Sequence, residues 1–324
     1  MLTKKAQVPF RAISTGQVRG LNPWQAARNL GRMRRGAAES AEIIRSFRPH
    51  AVLMTGGYVA VPVAWAAWRA RPRVPVLIYL PDVTPGMAIR FTSRMADRVA
   101  VSFPEVARWF PGKAVVTGYP VRPELGSVTR REARASLGLS EDLPVLLVFG
   151  GSRGARSINR AVVPALERLL PVCQIVHITG ELDWPEVAKA AVQLPERLVP
   201  RYHPFPYLHE EMASALSAAD LVVARAGAST LGEFPAVGLP SVLSPYPYAG
   251  QHQDANAAYL AERGAAIVLP DGKLAAELPT SVMSLLDDKA ELARMAAAAR
   301  KLAQPDAAPR ILATLHQLAT LVER

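Results

Sequence analysis

The residues best placed to do chemistry fall in two clusters of the C-terminal half. Ala226-Gly227-Ala228-Ser229-Thr230-Leu231-Gly232-Glu233 reads as a small-residue turn entering a helix that carries a carboxylate. Downstream, His252-Gln253-Asp254-Ala255-Asn256-Ala257 places amides at the start of another helix. Small residues ahead of a helix let bare backbone N–H groups and the positive helix end face a phosphate. A carboxylate one turn further in can accept hydrogen bonds from sugar hydroxyls. Together these types and spacings predict a pocket for a nucleotide diphosphate-sugar. Taken singly, Glu233 also reads as a solvated helix residue, and the polar residues from Gln251 to Asn256 as helix caps.

A third segment, Gly150-Gly151-Ser152-Arg153-Gly154-Ala155-Arg156, follows an apolar run and precedes a helical pattern. Gly-rich turns at the carboxyl ends of strands are where α/β proteins bind ligands, although many only reverse the chain. This one lacks both the Lys-Ser/Thr ending of a P-loop and the G-x-G-x-x-G spacing of a dinucleotide site.

Elements that could position these turns alternate along the chain. Expected strands are Ala51–Met54, Val76–Leu80, Arg98–Ser102, Ala114–Val116, Pro144–Phe149, Gln174–Ile178, Leu221–Val223, Ser241–Leu243 and Ala266–Val268. Most are continuous apolar runs, as in a parallel sheet covered on both faces. Helical patterns lie between them, among them Asn22–Phe47, Ser157–Leu170, Leu208–Ser217 and Gln253–Glu262. This is the rhythm of doubly wound α/β folds. A polar stretch with Pro at both ends, Pro123 to Pro144, reads as a linker with a short helix at Arg130–Leu137. The expected domains are 1–123 and 144–324, joined by 124–143, with the last helix returning to the first domain.

The chain has 324 residues, half of them hydrophobic, which suits two globular domains. Its net charge of +11 favours phosphate ligands or anionic surfaces. No aromatic-plus-basic motif supports nucleic acid as a partner. The single cysteine, Cys173, lies in an apolar run and reads as a buried thiol in a reducing compartment. The longest apolar stretch, Tyr58 to Trp68, is too short to span a bilayer.

The Gly-rich turn, Arg-Ala-Gly-Ala-Ser-Thr with Glu233, and His-Gln-x-x-Asn-Ala recur in order, each after an expected strand. In this the chain resembles the MurG family of membrane-associated transferases, from about Phe10 to the C-terminus. Thr55-Gly56-Gly57-Tyr58-Val59 and Thr117-Gly118-Tyr119-Pro120-Val121-Arg122 match it in the first domain. The resemblance implies a GT-B fold of two Rossmann-like domains. It also implies transfer of N-acetylglucosamine from UDP-N-acetylglucosamine to lipid I, an undecaprenyl-linked acceptor, giving lipid II. That is a step of peptidoglycan and cell-wall biogenesis, and so of cell shape and division. By motif match, Glu233 would bind the ribose hydroxyls. Ser152, Thr230 and the amides near Ala228 and Ser229 would hold the diphosphate. Gln253, Asn256 and His252 would grip the donor sugar, Leu208 would edge the uracil, and Arg122 would face the cleft. The chemistry implied is an inverting displacement at the anomeric carbon. With no Asp-x-Asp motif, no metal or other cofactor is expected; helix dipoles and amides would stabilise the leaving diphosphate.

Two departures stand out. The family's opening strand and Gly-Gly-His loop have no counterpart, so the first domain is expected to lack a piece of about 30 or more residues. In place of the family's His-Glu-Gln-Asn stretch stands Tyr79-Leu80-Pro81-Asp82-Val83-Thr84-Pro85-Gly86. Asp82 falls at the Asn position and is the candidate for acceptor binding or proton removal, or else a turn-forming Asp. Two alternatives stay open: a GT-B transferase for another lipid acceptor such as a diacylglycerol, and a non-catalytic UDP-sugar-binding protein.

Finally, Trp24, Leu30 and Met33 stand among Arg19, Arg28, Arg32, Arg34 and Arg35. Cations seek anionic head groups while apolar tips enter the interface. With the resemblance, this predicts a peripheral protein on the cytoplasmic face of the membrane, docked through Trp24, Arg32, Arg34 and Arg35. The alternative is a core role for the apolar residues.

Overall fold

The computed structural model describes residues 8–16, 22–151, 154–248 and 252–320. They form two compact units. The first takes the residues up to Pro81, Pro85–Thr117 and those from Ala308 onward; the second takes Asp82–Thr84 and Gly118–Ala307.

The first unit is built on β1 (Val52–Met54), β2 (Val76–Leu80), β3 (Arg98–Val101) and β4 (Ala114–Val116). They pair in parallel in the order β1-β2-β3-β4. Every residue of β2 is buried, which accounts for its unbroken apolar sequence. The helix Pro23–Phe47 starts at Asn22, whose side chain accepts from the Gln25 amide at 2.9 Å, with Pro at the first turn. Gly36, Ser40 and Ile44, each four residues apart, form its buried stripe. The helix Ala60–Arg69 takes up most of the apolar Tyr58–Trp68 stretch. No helix among the described residues is long and apolar enough to cross a membrane. Ile311 and Leu318 of the last helix, Ala307–Thr320, pack with Leu77, Tyr79 and Ala100.

The second unit contains β5 (Val145–Phe149), β6 (Gln174–Ile178), β7 (Tyr202–Phe205), β8 (Leu221–Ala224), β9 (Ser241–Leu243) and β10 (Ala266–Val268). The six strands are all parallel, in the order β10-β9-β8-β5-β6-β7. The chain therefore builds outward from β5 to β7, returns to β8 on the other side of β5, and builds outward again. Between β5 and β8 the order reverses, and at such a point a crevice opens outside the carboxyl ends of the strands. The glycine turn follows β5 and the Ala226–Thr230 turn follows β8, so both candidate turns flank that crevice.

Several elements differ from those expected. Tyr202–Phe205, not among the expected strands, is an edge strand, a position that tolerates Pro204. The helix expected over Ser157–Leu170 is broken at Pro164 into Arg156–Val162, a 3₁₀ turn Val163–Ala165, and Leu166–Leu169. The stretch 124–143 lies inside the second unit. There Arg134 donates to Asp220 Oδ2 at 2.7 Å and to the Glu141 carbonyl at 3.0 Å, and Asp220 Oδ2 also accepts from the Val145 amide. Cys173 is buried, and burial pushes its thiol up to about 12.

Candidate functional site

A cleft of about 880 Å³ opens at the reversal point of the second sheet. Gly150, Gly151, Gly154 and Arg156 form one wall; Arg225, Gly227, Ser229 and Thr230 form another; Tyr246, Tyr248 and Gln253 complete it. Strand order brings these segments together, since each follows the carboxyl end of β5, β8 or β9.

The turn after β8 is built to receive an anion. The helix Thr230–Val237 begins at Ser229 without any side-chain cap. The Thr230, Leu231, Gly232 and Glu233 amides are used within the first turn. Among the described residues, those of Ala228 and Ser229 donate to no protein acceptor. Two orphan N–H groups at an uncapped helix start are free to receive an oxyanion. The Thr230 hydroxyl, by contrast, gives its proton to the Gly227 carbonyl at 2.7 Å and so braces the turn.

Arg225 is the residue that sequence reading undervalued. Its guanidinium is buried and donates to the Ser244 and Pro245 carbonyls at 3.1 and 3.3 Å and to Ser157 Oγ at 2.6 Å. It lies 2.5 Å from Asp271 Oδ1 and 5.3 Å from the centre of the Tyr246 ring. Ser157 Oγ donates to the same Asp271 oxygen at 2.7 Å. Gln253 Oε1 in turn accepts from the Tyr246 amide at 2.8 Å, which fixes the loop after β9 over the cleft. The signal in the sequence was an arginine directly after four buried strand residues, a place where a charge needs several partners.

Glu233 sits one turn into the helix, only 8% exposed. Arg122 Nε donates to its Oε1 at 3.1 Å. Burial raises the Glu233 carboxyl above its ordinary value, and Arg122 works against that rise. Tyr119 packs on the same helix turn, where a Cβ on Gly232 would lie 2.2 Å from its Cδ1. Burial, then the charges of Glu233 and Asp82, push the Tyr119 hydroxyl up to about 12, with Arg122 opposing.

Asp82–Thr84 belongs to this unit and is tied to the helix His252–Glu262. Asn256, fully buried, donates from Nδ2 to Asp82 Oδ1 at 2.9 Å and to the Ala226 carbonyl at 3.1 Å, and its Oδ1 accepts from the Val83 amide. His252 Nδ1 lies 3.2 Å from Thr84 Oγ1. Asn256 therefore acts on the protein itself, joining the β8 turn to the Asp82 loop. Of the other expected site residues, Leu208 is buried in the loop after β7, and Ser152 lies outside the described residues. Thr230, Ser229 and Gln253 line the cleft, while Ala228, Glu233, Arg122, Asn256, His252, Leu208 and Asp82 do not. Among the described residues no His, Cys, Asp and Glu side chains gather as a metal site.

Two units of parallel sheet covered by helices, the second with an anion-receiving cleft at its reversal point, define the GT-B class of nucleotide-sugar proteins. Comparison with known proteins resolves the class further. The model of the glycosyltransferase family 28 C-terminal domain matches residues 145–311, and that of the glycosyltransferase family 28 N-terminal domain matches residues 1–101. The UDP-N-acetylglucosamine--N-acetylmuramyl-(pentapeptide) pyrophosphoryl-undecaprenol N-acetylglucosamine transferase of Roseiflexus sp. (strain RS-1) is 44% identical over 98% of this chain and 80% of its own length. The protein of the same name from Desulforudis audaxviator is 42% identical over 98% and 87%. The crystal structure of Acinetobacter baumannii MurG superposes with a TM-score of 0.74 at 28% identity, covering 98% of this chain and 87% of that one. A UDP-GlcNAc 2-epimerase from Neisseria meningitidis shares the fold, with a TM-score of 0.65 at 14% identity over 98% and 87% of the two chains. This chain belongs to glycosyltransferase family 28 and, within it, to the MurG family.

Proposed function

We propose that this chain transfers N-acetylglucosamine from UDP-N-acetylglucosamine to lipid I, forming lipid II with inversion at the anomeric carbon. The observation that carries this reading is 44% identity, across 98% of the chain, to a transferase of that name. The cleft supports the donor half. The diphosphate lies against the Ala228 and Ser229 amides and the start of the helix Thr230–Val237, with Arg156 beside it. Glu233, one turn into the same helix and not itself lining the cleft, is our candidate for the ribose hydroxyls, and Gln253 stands at the sugar end. As the bond from the anomeric carbon to the diphosphate breaks, these dipoles take up the charge of the departing UDP.

The acceptor hydroxyl must lose a proton as it attacks. Asp82 is our candidate base: Oδ1 is held by Asn256, and Oδ2 has no protein partner among the described residues. Asp82→Asn can keep the contact to Asn256 by presenting its own carbonyl, so it removes the base and spares the loop. Turnover is expected to fall by about 10²–10⁴-fold with donor affinity kept; full turnover would dismiss Asp82 as base.

We also infer docking on an anionic membrane surface through the helix Pro23–Phe47. Trp24 is 88% exposed, and Leu30, Arg28, Arg32, Arg34 and Arg35 are exposed beside it. An exposed indole amid arginines suits a lipid interface better than a core. The deciding experiment is calorimetric titration with UDP-N-acetylglucosamine, UDP-glucose and UDP-galactose, followed by transfer assays on lipid I and a diacylglycerol. Selective binding of the first donor and transfer to lipid I are expected. Binding without transfer to either acceptor would favour a non-catalytic UDP-sugar-binding protein.

A further inference from the structure

A line of buried polar side chains runs from β7 toward the cleft and ends on Arg156. His177, in the middle of β6, is fully buried, and burial alone lowers its pKa to about 3. The ring is therefore neutral and carries one proton. Asn159 decides where that proton sits. Its Nδ2 lies 2.9 Å from the Thr179 carbonyl and 2.9 Å from Asp183 Oδ2, groups that only accept. Asn159 Oδ1 must then face His177 Nε2, at 3.0 Å. Since Oδ1 also only accepts, Nε2 holds the proton. Nδ1 is left as an acceptor, and the Tyr202 hydroxyl, 2.9 Å away, donates to it.

Every bond in this line has one permitted direction, and its inner end is a carboxylate. Asp183 takes Asn159 Nδ2 on Oδ2 and Arg156 Nε on Oδ1, at 2.9 Å each. Asp183 and Arg156 both line the cleft. The Arg156 side chain is 61% exposed, so on its own it would sample many rotamers. Its Nε is bonded, and among the described residues its terminal nitrogens have no protein partner, which leaves them for a ligand. The glycine turn is seated on the same line: a Cβ on Gly154 would lie 2.3 Å from the Thr179 carbonyl that Asn159 holds.

We propose that Asn159, backed by His177 and Tyr202, is a positioning residue that fixes the Asp183–Arg156 pair against the diphosphate of the donor. The inference rests on the UDP-sugar reading of the cleft. A fully satisfied buried network rigidifies what it touches. Here it touches one flexible cation at the place where two negative charges must be met. The network acts through Arg156 and never reaches the ligand, so its loss should be felt only by ligands that carry the diphosphate.

The test compares UDP with uridine by calorimetry on the full chain. Asn159→Ala should weaken UDP about tenfold, as loss of a hydrogen bond to a charged group does, and leave uridine unchanged. In an Arg156→Ala background the same substitution should add nothing. Tyr202→Phe, which keeps the ring and removes the donor, should give a smaller loss confined to UDP. Equal losses for UDP and uridine, an unchanged UDP affinity, or additivity with Arg156→Ala would each overturn the proposal. If Asn159→Ala does not fold, Tyr202→Phe decides by the same comparison. A wild-type chain that binds uridine as well as UDP would instead overturn the donor reading beneath it.

Discussion

Glu233→Gln separates what the Glu233 carboxylate does for the ligand from what it costs the fold. The side chain is nearly buried, and the cation beside it, Arg122, is 41% exposed. Burial raises the carboxyl pKa despite that partner. A carboxyl whose folded pKa lies above its unfolded value contributes stability that is fully present below the unfolded pKa and lost as pH rises through the folded one. As pH rises the wild type must therefore ionise a group whose charged form the fold disfavours. Glutamine keeps the shape and can still accept from Arg122 Nε, so the variant should be at least as stable, with a lead that grows as pH rises. Binding should move the other way. Hydrogen bonds to a charged group contribute about 1.5–3 kcal/mol, so UDP should bind about 10- to 150-fold more weakly. Calorimetry with UDP and a 2′,3′-dideoxy analogue, beside thermal unfolding across pH, reads both effects. The wild type should discriminate between the two nucleotides and the variant should not. Undiminished UDP affinity, or a variant less stable at every pH, would refute the reasoning.

Other outcomes follow from the same geometry. Gly232→Ala sets a methyl group against Tyr119, and overpacking of this kind costs about 1–3 kcal/mol; an unchanged urea midpoint would mean that Tyr119 swings aside freely. Replacing Arg32, Arg34 and Arg35 with Glu should abolish co-sedimentation with anionic vesicles at low salt, since each basic group near such a surface contributes about 1 kcal/mol. UDP affinity should stay as it was, and unchanged vesicle binding would reject the docking helix. Arg225→Met removes the cation that joins Ser157, Ser244, Pro245 and Asp271. It leaves Asp271 without its cation and should cost about 3–5 kcal/mol by thermal or chemical unfolding; a loss below about 1 kcal/mol would show that water replaces the network.

Most strands of the second unit were legible because they are short, largely apolar runs, as a parallel sheet covered on both faces favours. β7 escaped because it obeys a different rule: at the sheet edge its residues after Tyr202 are only partly buried, and His203 and Pro204 are tolerated. The turns of the cleft were legible as glycine-rich and small-residue segments, since backbone approach to a ligand leaves that mark. The polar line behind them was not. His177, Asn159 and Asp183 lie on three different elements, and only the pairing of β6 with its neighbours brings them together. A single histidine inside Gln-Ile-Val-His-Ile could have signalled a buried partner, without saying which. Asn256 shows the reverse case: its place in a motif suggested a sugar ligand, while its amide is engaged by Asp82, Val83 and Ala226.

Among the described residues, three arginines and two carboxylates line the cleft. Arg156 and Arg225 each face a carboxylate of their own, Asp183 and Asp271. On the proposed reading, a diphosphate entering there meets arginines already paired and is held chiefly by oriented amides at contact distance. Mobile ions screen charges over about 8 Å at physiological ionic strength and barely weaken such short contacts. The exposed arginines of the Pro23–Phe47 helix, by contrast, would act on a lipid surface through open solvent. Raising the salt should therefore peel the protein from a vesicle while it still carries its nucleotide sugar, giving a loaded form whose donor chemistry can be followed away from lipid.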